Sequence, residues 1–199
     1  MLRGVSEGLP VVPNGNLVII GASTGGLKVL EVLFPRLPVL NAAVVIVQHI
    51  TPVIDQAFVS SLSRVSKMPV TLAVDGQMLQ HGQTYLAPGG MHLALVNNQK
   101  IRLFHGEKVN SVCPAIDVAM TSATPPVGGK LVGVILTGMG CDGAAGIAHI
   151  KRLGGITIAQ DQKTSVIYGM PKAALETGAI DFVLPTEGIA DKLRDLLSK

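Results

Sequence analysis

The stretch Leu17-Val18-Ile19-Ile20-Gly21-Ala22-Ser23-Thr24-Gly25-Gly26 runs a short apolar segment into a glycine-flanked serine. Such a run, bounded by turn residues and followed by a helical pattern, reads as a buried strand of a βα unit. Two later segments end the same way. Ala43-Val44-Val45-Ile46-Val47-Gln48 delivers His49, and Leu131 to Leu136 leads through Thr137-Gly138-Met139-Gly140-Cys141 to Asp142. In a doubly wound sheet the carboxyl ends of parallel strands open onto one crevice, so residues just past three strand ends can converge. The pattern predicts a three-layer α/β fold, with a doubly wound, mostly parallel sheet and an antiparallel hairpin.

A hydroxyl, an imidazole and a carboxylate are the parts of a nucleophilic triad. The imidazole takes the serine proton, the carboxylate fixes the imidazole tautomer, and backbone N–H groups hold the oxyanion. Glycines 21, 25 and 26 permit a tight turn and a helix starting at once behind the serine. The Gly-x-Ser-x-Gly spacing recurs by chance in a chain with 23 glycines, so its place after a strand carries the argument. The competing reading is a phosphate-cradling βα turn. Against it, the spacing is not Gly-x-Gly-x-x-Gly, and the second strand ends in Gln48-His49 where a ribose-binding acid belongs. His49 alone could be an ordinary strand-end histidine. Asp142 could be only the N-cap of a helix from Ala144 to Leu153.

Along the chain, residues 1–16 read as a tail broken by Pro10, Pro13 and Gly15, and residues 17–199 as one domain. Helical patterns follow at Thr24 to Leu33, ended by Pro35, and at Pro52 to Ser66. Between Val70 and His105 the pattern shifts to short β-like runs, Tyr85 to Ala87, His92 to Val96 and Ile101 to Phe104, with Asn97-Asn98-Gln99 as a hairpin turn. Beyond them come helices at Pro114 to Ser122, Pro171 to Glu176 and the C-terminus, and strands at Ile156 to Ala159 and Phe182 to Leu184.

Composition narrows the classes. Hydrophobic residues make up 48% but aromatics only 3%, so the interior is built from Val, Leu, Ile and Ala, as a buried parallel sheet requires. A net charge of +3 without a basic run interleaved with aromatics gives no nucleic-acid footprint. No apolar stretch reaches membrane-spanning length and no signal-peptide pattern opens the chain, so the expectation is a cytoplasmic protein without membrane insertion. Cys113 and Cys141 form no Cys-x-x-Cys, and His81, His92, His105 and His149 lack zinc-ligand spacing. No metal or cofactor is expected. His149 reads as structural, and His92 has no evident chemical role.

Together, Gly21 to Gly26, Val47-Gln48-His49, Tyr85 to Leu93, Leu136 to Ala144 and Tyr168-Gly169-Met170-Pro171 resemble the catalytic domain of the CheB-type chemotaxis methylesterases, from Leu17 to about Leu196. The resemblance implies a serine hydrolase that demethylates glutamate methyl esters, and deamidates certain glutamines, on the cytoplasmic helices of methylated chemoreceptors. It implies Ser23 as nucleophile, His49 as general base and Asp142 as its orienting acid, with N–H groups near Thr24 and Met139 as candidate oxyanion donors. Two departures stand out. Where the family usually has Arg-Pro-Ser-Val-Asp, this chain has Cys113-Pro114-Ala115-Ile116-Asp117, which is expected to weaken substrate docking. Family members also typically carry an N-terminal receiver domain, which does not fit in the 16 residues before Leu17. A phosphate-binding module and a catalytically degenerate receptor-binding module remain the alternatives.

Overall fold

Residues 15–125 and 127–198 are described by a computed structural model. Most of the expected tail therefore lies outside the described residues. Nine strands and six helices alternate through them: β1 (Asn16–Ala22), α1 (Gly26–Leu33), β2 (Ala42–Gln48), α2 (Asp55–Ser63), β3 (Val70–Leu72), β4 (Thr84–Leu86), β5 (His92–Val96), β6 (Lys100–Phe104), α3 (Ile116–Thr121), β7 (Leu131–Ile135), α4 (Ala144–Arg152), β8 (Ile156–Gln160), α5 (Met170–Glu176), β9 (Phe182–Leu184) and α6 (Thr186–Leu197). Seven strands form one sheet in the order β3-β4-β2-β1-β7-β8-β9, parallel at every pairing, while β5 and β6 make a separate antiparallel hairpin.

Alternation along β1 explains the layers. Val18, Ile20 and Ala22 point to one face, where Leu30 and Leu33 of α1, Phe58 and Leu62 of α2, and Ile189 and Leu193 of α6 complete the core. Leu17 and Ile19 point to the other, against Ile116 and Met120 of α3, Ile147 and Ile150 of α4, Met170 of α5 and Leu93 of the hairpin. Period-two burial on both faces is the signature of a central parallel strand.

Several boundaries differ from the sequence reading for local reasons. Pro35 does not simply end α1; it sits in a 3-10 turn over Phe34–Arg36 that continues the helix. The helix expected from Pro52 opens instead as a 3-10 turn, Pro52–Ile54, and turns α-helical at Asp55. The short β-like run read at Tyr85 to Ala87 is shifted by one residue, to Thr84–Leu86, and joins the main sheet as β4 beside the three-residue edge strand β3. Strands this short carry too little periodicity to be told from loop.

Candidate active site

The sheet order places β1 between β2 and β7, and at this point the strand order switches from one side of β1 to the other. Ser23, His49 and Asp142 follow the carboxyl ends of these three neighbours. The β1–β2 register pairs Ala22 with Gln48, so the next residues, Ser23 and His49, are adjacent, and His49 N–H bonds to the Ala22 carbonyl at 3.1 Å. The imidazole then bridges the other two groups. His49 Nδ1 lies 3.1 Å from Ser23 Oγ and Nε2 lies 2.7 Å from Asp142 Oδ2. An ionised carboxylate only accepts, so Nε2 carries the proton and Nδ1 presents its lone pair to the serine hydroxyl. In the serine-protease arrangement the two nitrogens are exchanged. Here the nitrogen nearer the backbone suffices, because the strand register has already brought the serine next door.

Asp142 is buried and receives four donors. Oδ2 accepts from His49 and from Ile116 N–H at 2.6 Å; Oδ1 accepts from Asn110 Nδ2 at 2.9 Å and Asp117 N–H at 3.1 Å. Burial alone would push this carboxyl up, but the bonds from His49, Ile116, Asn110 and Asp117 outweigh it and hold the group below its ordinary value. Asp142 does not cap its own helix. Asp117 Oδ1 accepts the N–H groups of Gly143 and Gly146 at the start of α4, while Asp142 takes the first N–H groups of α3. The two helices exchange capping carboxylates, which corrects the N-cap reading of Asp142.

The turn that carries Ser23 is held from several sides. α1 begins at Gly26 rather than directly after Ser23, with Gly25 at φ +83 between them. A side chain at residue 25 would be strained at that φ and would lie 2.6 Å from Val166. Gln48 Nε2 donates to the carbonyls of Ser23 at 2.9 Å and His49 at 3.3 Å, tying the two backbones together. Thr137 Oγ1 bonds to the Thr24 carbonyl at 3.0 Å. The backbone after β7 passes so close that a Cβ at Gly138 would sit 2.6 Å from Ser23 Cβ. Met139 is 74% exposed beside it. Among the described residues the N–H groups of Thr24 and Met139 donate to no protein acceptor.

A cleft of about 570 Å³ opens on Ser23 and His49, walled by Leu27, Lys28, Ile50, Ile54, Phe58 and Val166. Its walls are mostly apolar, and Val53 on the adjoining 3-10 turn is 91% exposed. Among the described residues no cluster of His, Cys, Asp or Glu could hold a metal ion, and no helix is long and apolar enough to cross a membrane.

Cys113 is partly exposed, and burial pushes its thiol up, partly countered by Lys108. Ala115, in contrast, has no accessible surface and is the N-cap residue of α3. A buried side chain cannot touch a docking protein, so of the two positions expected to govern docking only 113 is placed to do so. Sequence reasoning gave no role to Gln48, Asn110 or Asp117. For Asn110 a signal existed, two turn-forming residues between Val109 and Val112.

The sequence matches the CheB methylesterase family over residues 18–193. It is 45% identical over 186 residues to a Pyrococcus horikoshii protein named protein-glutamate methylesterase/protein-glutamine glutaminase, covering 92% of this chain and 50% of that one. A Thermotoga maritima protein of the same name is 40% identical over 188 residues, covering 92% and 55%. The chain spans about half the length of the curated relatives it matches. The crystal structure of the Thermotoga maritima CheB methylesterase catalytic domain superposes with a TM-score of 0.85 at 38% identity, covering 92% of this chain and 98% of that one. The family match and the shared fold both run along nearly the whole described domain, and the chain belongs to the CheB methylesterase family.

Proposed function

We propose that this chain is a cofactor-independent serine hydrolase that demethylates γ-glutamyl methyl esters, and deamidates glutamines, on the cytoplasmic helices of chemoreceptors. The observation that carries the reading is the His49 ring spanning Ser23 Oγ and Asp142 Oδ2 at 3.1 and 2.7 Å. His49 Nδ1 takes the hydroxyl proton as Ser23 Oγ attacks the ester carbonyl, and Asp142 stabilises the imidazolium. The N–H groups of Thr24 and Met139 face the developing oxyanion. Nδ1–H then protonates the departing methoxide, methanol leaves, and a water deprotonated by the same nitrogen cleaves the acyl-serine. Ammonia leaves in place of methanol when the substrate is glutamine. The apolar cleft accommodates the aliphatic part of the glutamyl side chain and its helical neighbours. A phosphate-binding role for the turn would leave the His49–Asp142 pair unused.

The test is release of methanol from a methyl-labelled receptor fragment by the purified chain, with and without prior dialysis against a chelator. Release at an unchanged rate after dialysis is expected, because every proposed group is a side chain or backbone amide. No release from receptor or small ester, or loss restored only by a divalent ion, would refute the reading.

The partial exposure of Cys113 leads to a second expectation. Cys113→Arg should lower KM for a receptor fragment by about 10-fold, through a charge-assisted hydrogen bond to an acidic helix, and leave a small activated ester within about 2-fold. Equal changes on both substrates, or none, would show that position 113 does not meet the receptor.

A further inference from the structure

Asn110 belongs to no step of the reaction, yet the chain is strained to hold it where it is. Val109 and Val112 exchange N–H to carbonyl hydrogen bonds of 3.2 and 3.0 Å, closing a two-residue turn in which Asn110 has φ +52 and Ser111 φ +67. Positive φ at both central positions is what a type I′ turn requires, and for a residue with a side chain it is a strained conformation. The feet of the segment are tied to His92, the buried histidine without an evident role. Its Nε2 bonds to the Glu107 carbonyl at 2.8 Å and its Nδ1 to Ala115 N–H at 3.2 Å. A carbonyl only accepts and an N–H only donates, so the ring is the Nε2–H tautomer.

The turn aims Asn110 at two carboxylates. Its Nδ2 donates to Asp117 Oδ2 at 2.8 Å and to Asp142 Oδ1 at 2.9 Å. The two acids repel. Asp117 is pushed up by burial first, pulled back by Gly146 N–H, and pushed up again by the charge on Asp142. We propose that Asn110 is a positioning residue whose amide lets Asp117 and Asp142 stay ionised side by side and holds Asp142 in the orientation that meets His49. The inference rests on the triad reading given above.

Two substitutions separate the amide from the turn. Asn110→Gly keeps the tolerance for positive φ and removes the donor. It should lower kcat on a small activated ester by about 10- to 100-fold, the value of one charge-assisted hydrogen bond, with KM within about 2-fold. Asn110→Asp keeps the size and adds a third carboxylate. On acidification that carboxyl gains a proton to donate, so its kcat relative to wild type should rise from about pH 8 to about pH 5. Around the turn the titratable groups are His105, Glu107, Lys108 and Cys113 in the same segment, His92 on β5, Asp117 on α3, His49 after β2, Cys141 and Asp142 before α4, and His149 on α4. All are common to wild type and variant, so the ratio isolates position 110.

Ser23→Ala is run in the same assays. If Ser23→Ala is inactive while Asn110→Gly keeps wild-type kcat, or the Asn110→Asp ratio is flat with pH, the positioning role is overturned and the triad stands. Activity retained by Ser23→Ala would overturn both.

Discussion

Ser23→Ala and His49→Ala are each expected to lower turnover of a small activated ester by about 10⁶-fold, and the double variant by little more. The reason is geometric. With His49 Nδ1 3.1 Å from Ser23 Oγ, the hydroxyl and the base form one proton-transfer unit. Either half without the other leaves only the binding cleft and the oxyanion donors, so the second deletion removes something already lost. Losses that multiplied would mean the two residues act in separate steps. Both substitutions leave the sheet untouched, because Ser23 and His49 are bonded to it through backbone groups. Circular dichroism of both should therefore match wild type; thermal unfolding should match for Ser23→Ala and come earlier for His49→Ala, which removes one of the four donors to buried Asp142.

Asp142→Asn is expected to lower kcat by up to about 10⁴-fold through the wrong imidazole tautomer. An asparagine has one acceptor oxygen for a site with four donors. If its NH₂ replaced Oδ1, it would oppose Asp117 N–H and the Asn110 amide, and two donors would lose their acceptor. If it replaces Oδ2, it opposes Ile116 N–H and His49 Nε2, and the imidazole can yield by moving its proton to Nδ1. The second arrangement leaves fewer buried donors unpaired and is favoured. It also turns Nδ1 into a donor toward Ser23, so the serine loses its base. Nitrogen-15 NMR of the His49 ring checks the tautomer directly, and a near-wild-type rate would remove Asp142 from the mechanism.

The three side chains of the proposed triad were legible as neighbours because each lies one residue or a short turn past a strand that announces itself. Val18 to Ile20, Val44 to Val47 and Val132 to Ile135 are apolar runs of a kind that only a sheet buried on both faces uses, and they fix which residues emerge at its edge. The supporting groups were not legible, for a different reason. Asn110, Asp117 and His92 act through contacts between a loop, a short helix and a hairpin, and nothing in their own neighbourhoods states which partner they meet. The exchange of capping carboxylates between α3 and α4 is the clearest case. Sequence proximity assigns Asp142 to the helix that follows it, and only tertiary packing hands it to the other. Position 115 makes the same point: its identity looked like a matter of substrate contact until its burial became known.

The strand register that sets Ser23 beside His49 also divides the apparatus into a stiff part and a compliant one. The spacing of Ser23 and His49 is a property of the β1–β2 ladder, which is paired along the full length of both strands. The orientation of Asp142 depends on α3, a six-residue helix, and on a tight turn that sits against its own conformational preference. Local openings begin where few contacts cross. On warming, the acid arm therefore loosens while the serine and imidazole remain in register. Under the proposed mechanism, ester hydrolysis is therefore expected to fade at temperatures below the unfolding midpoint, by detuning of the base.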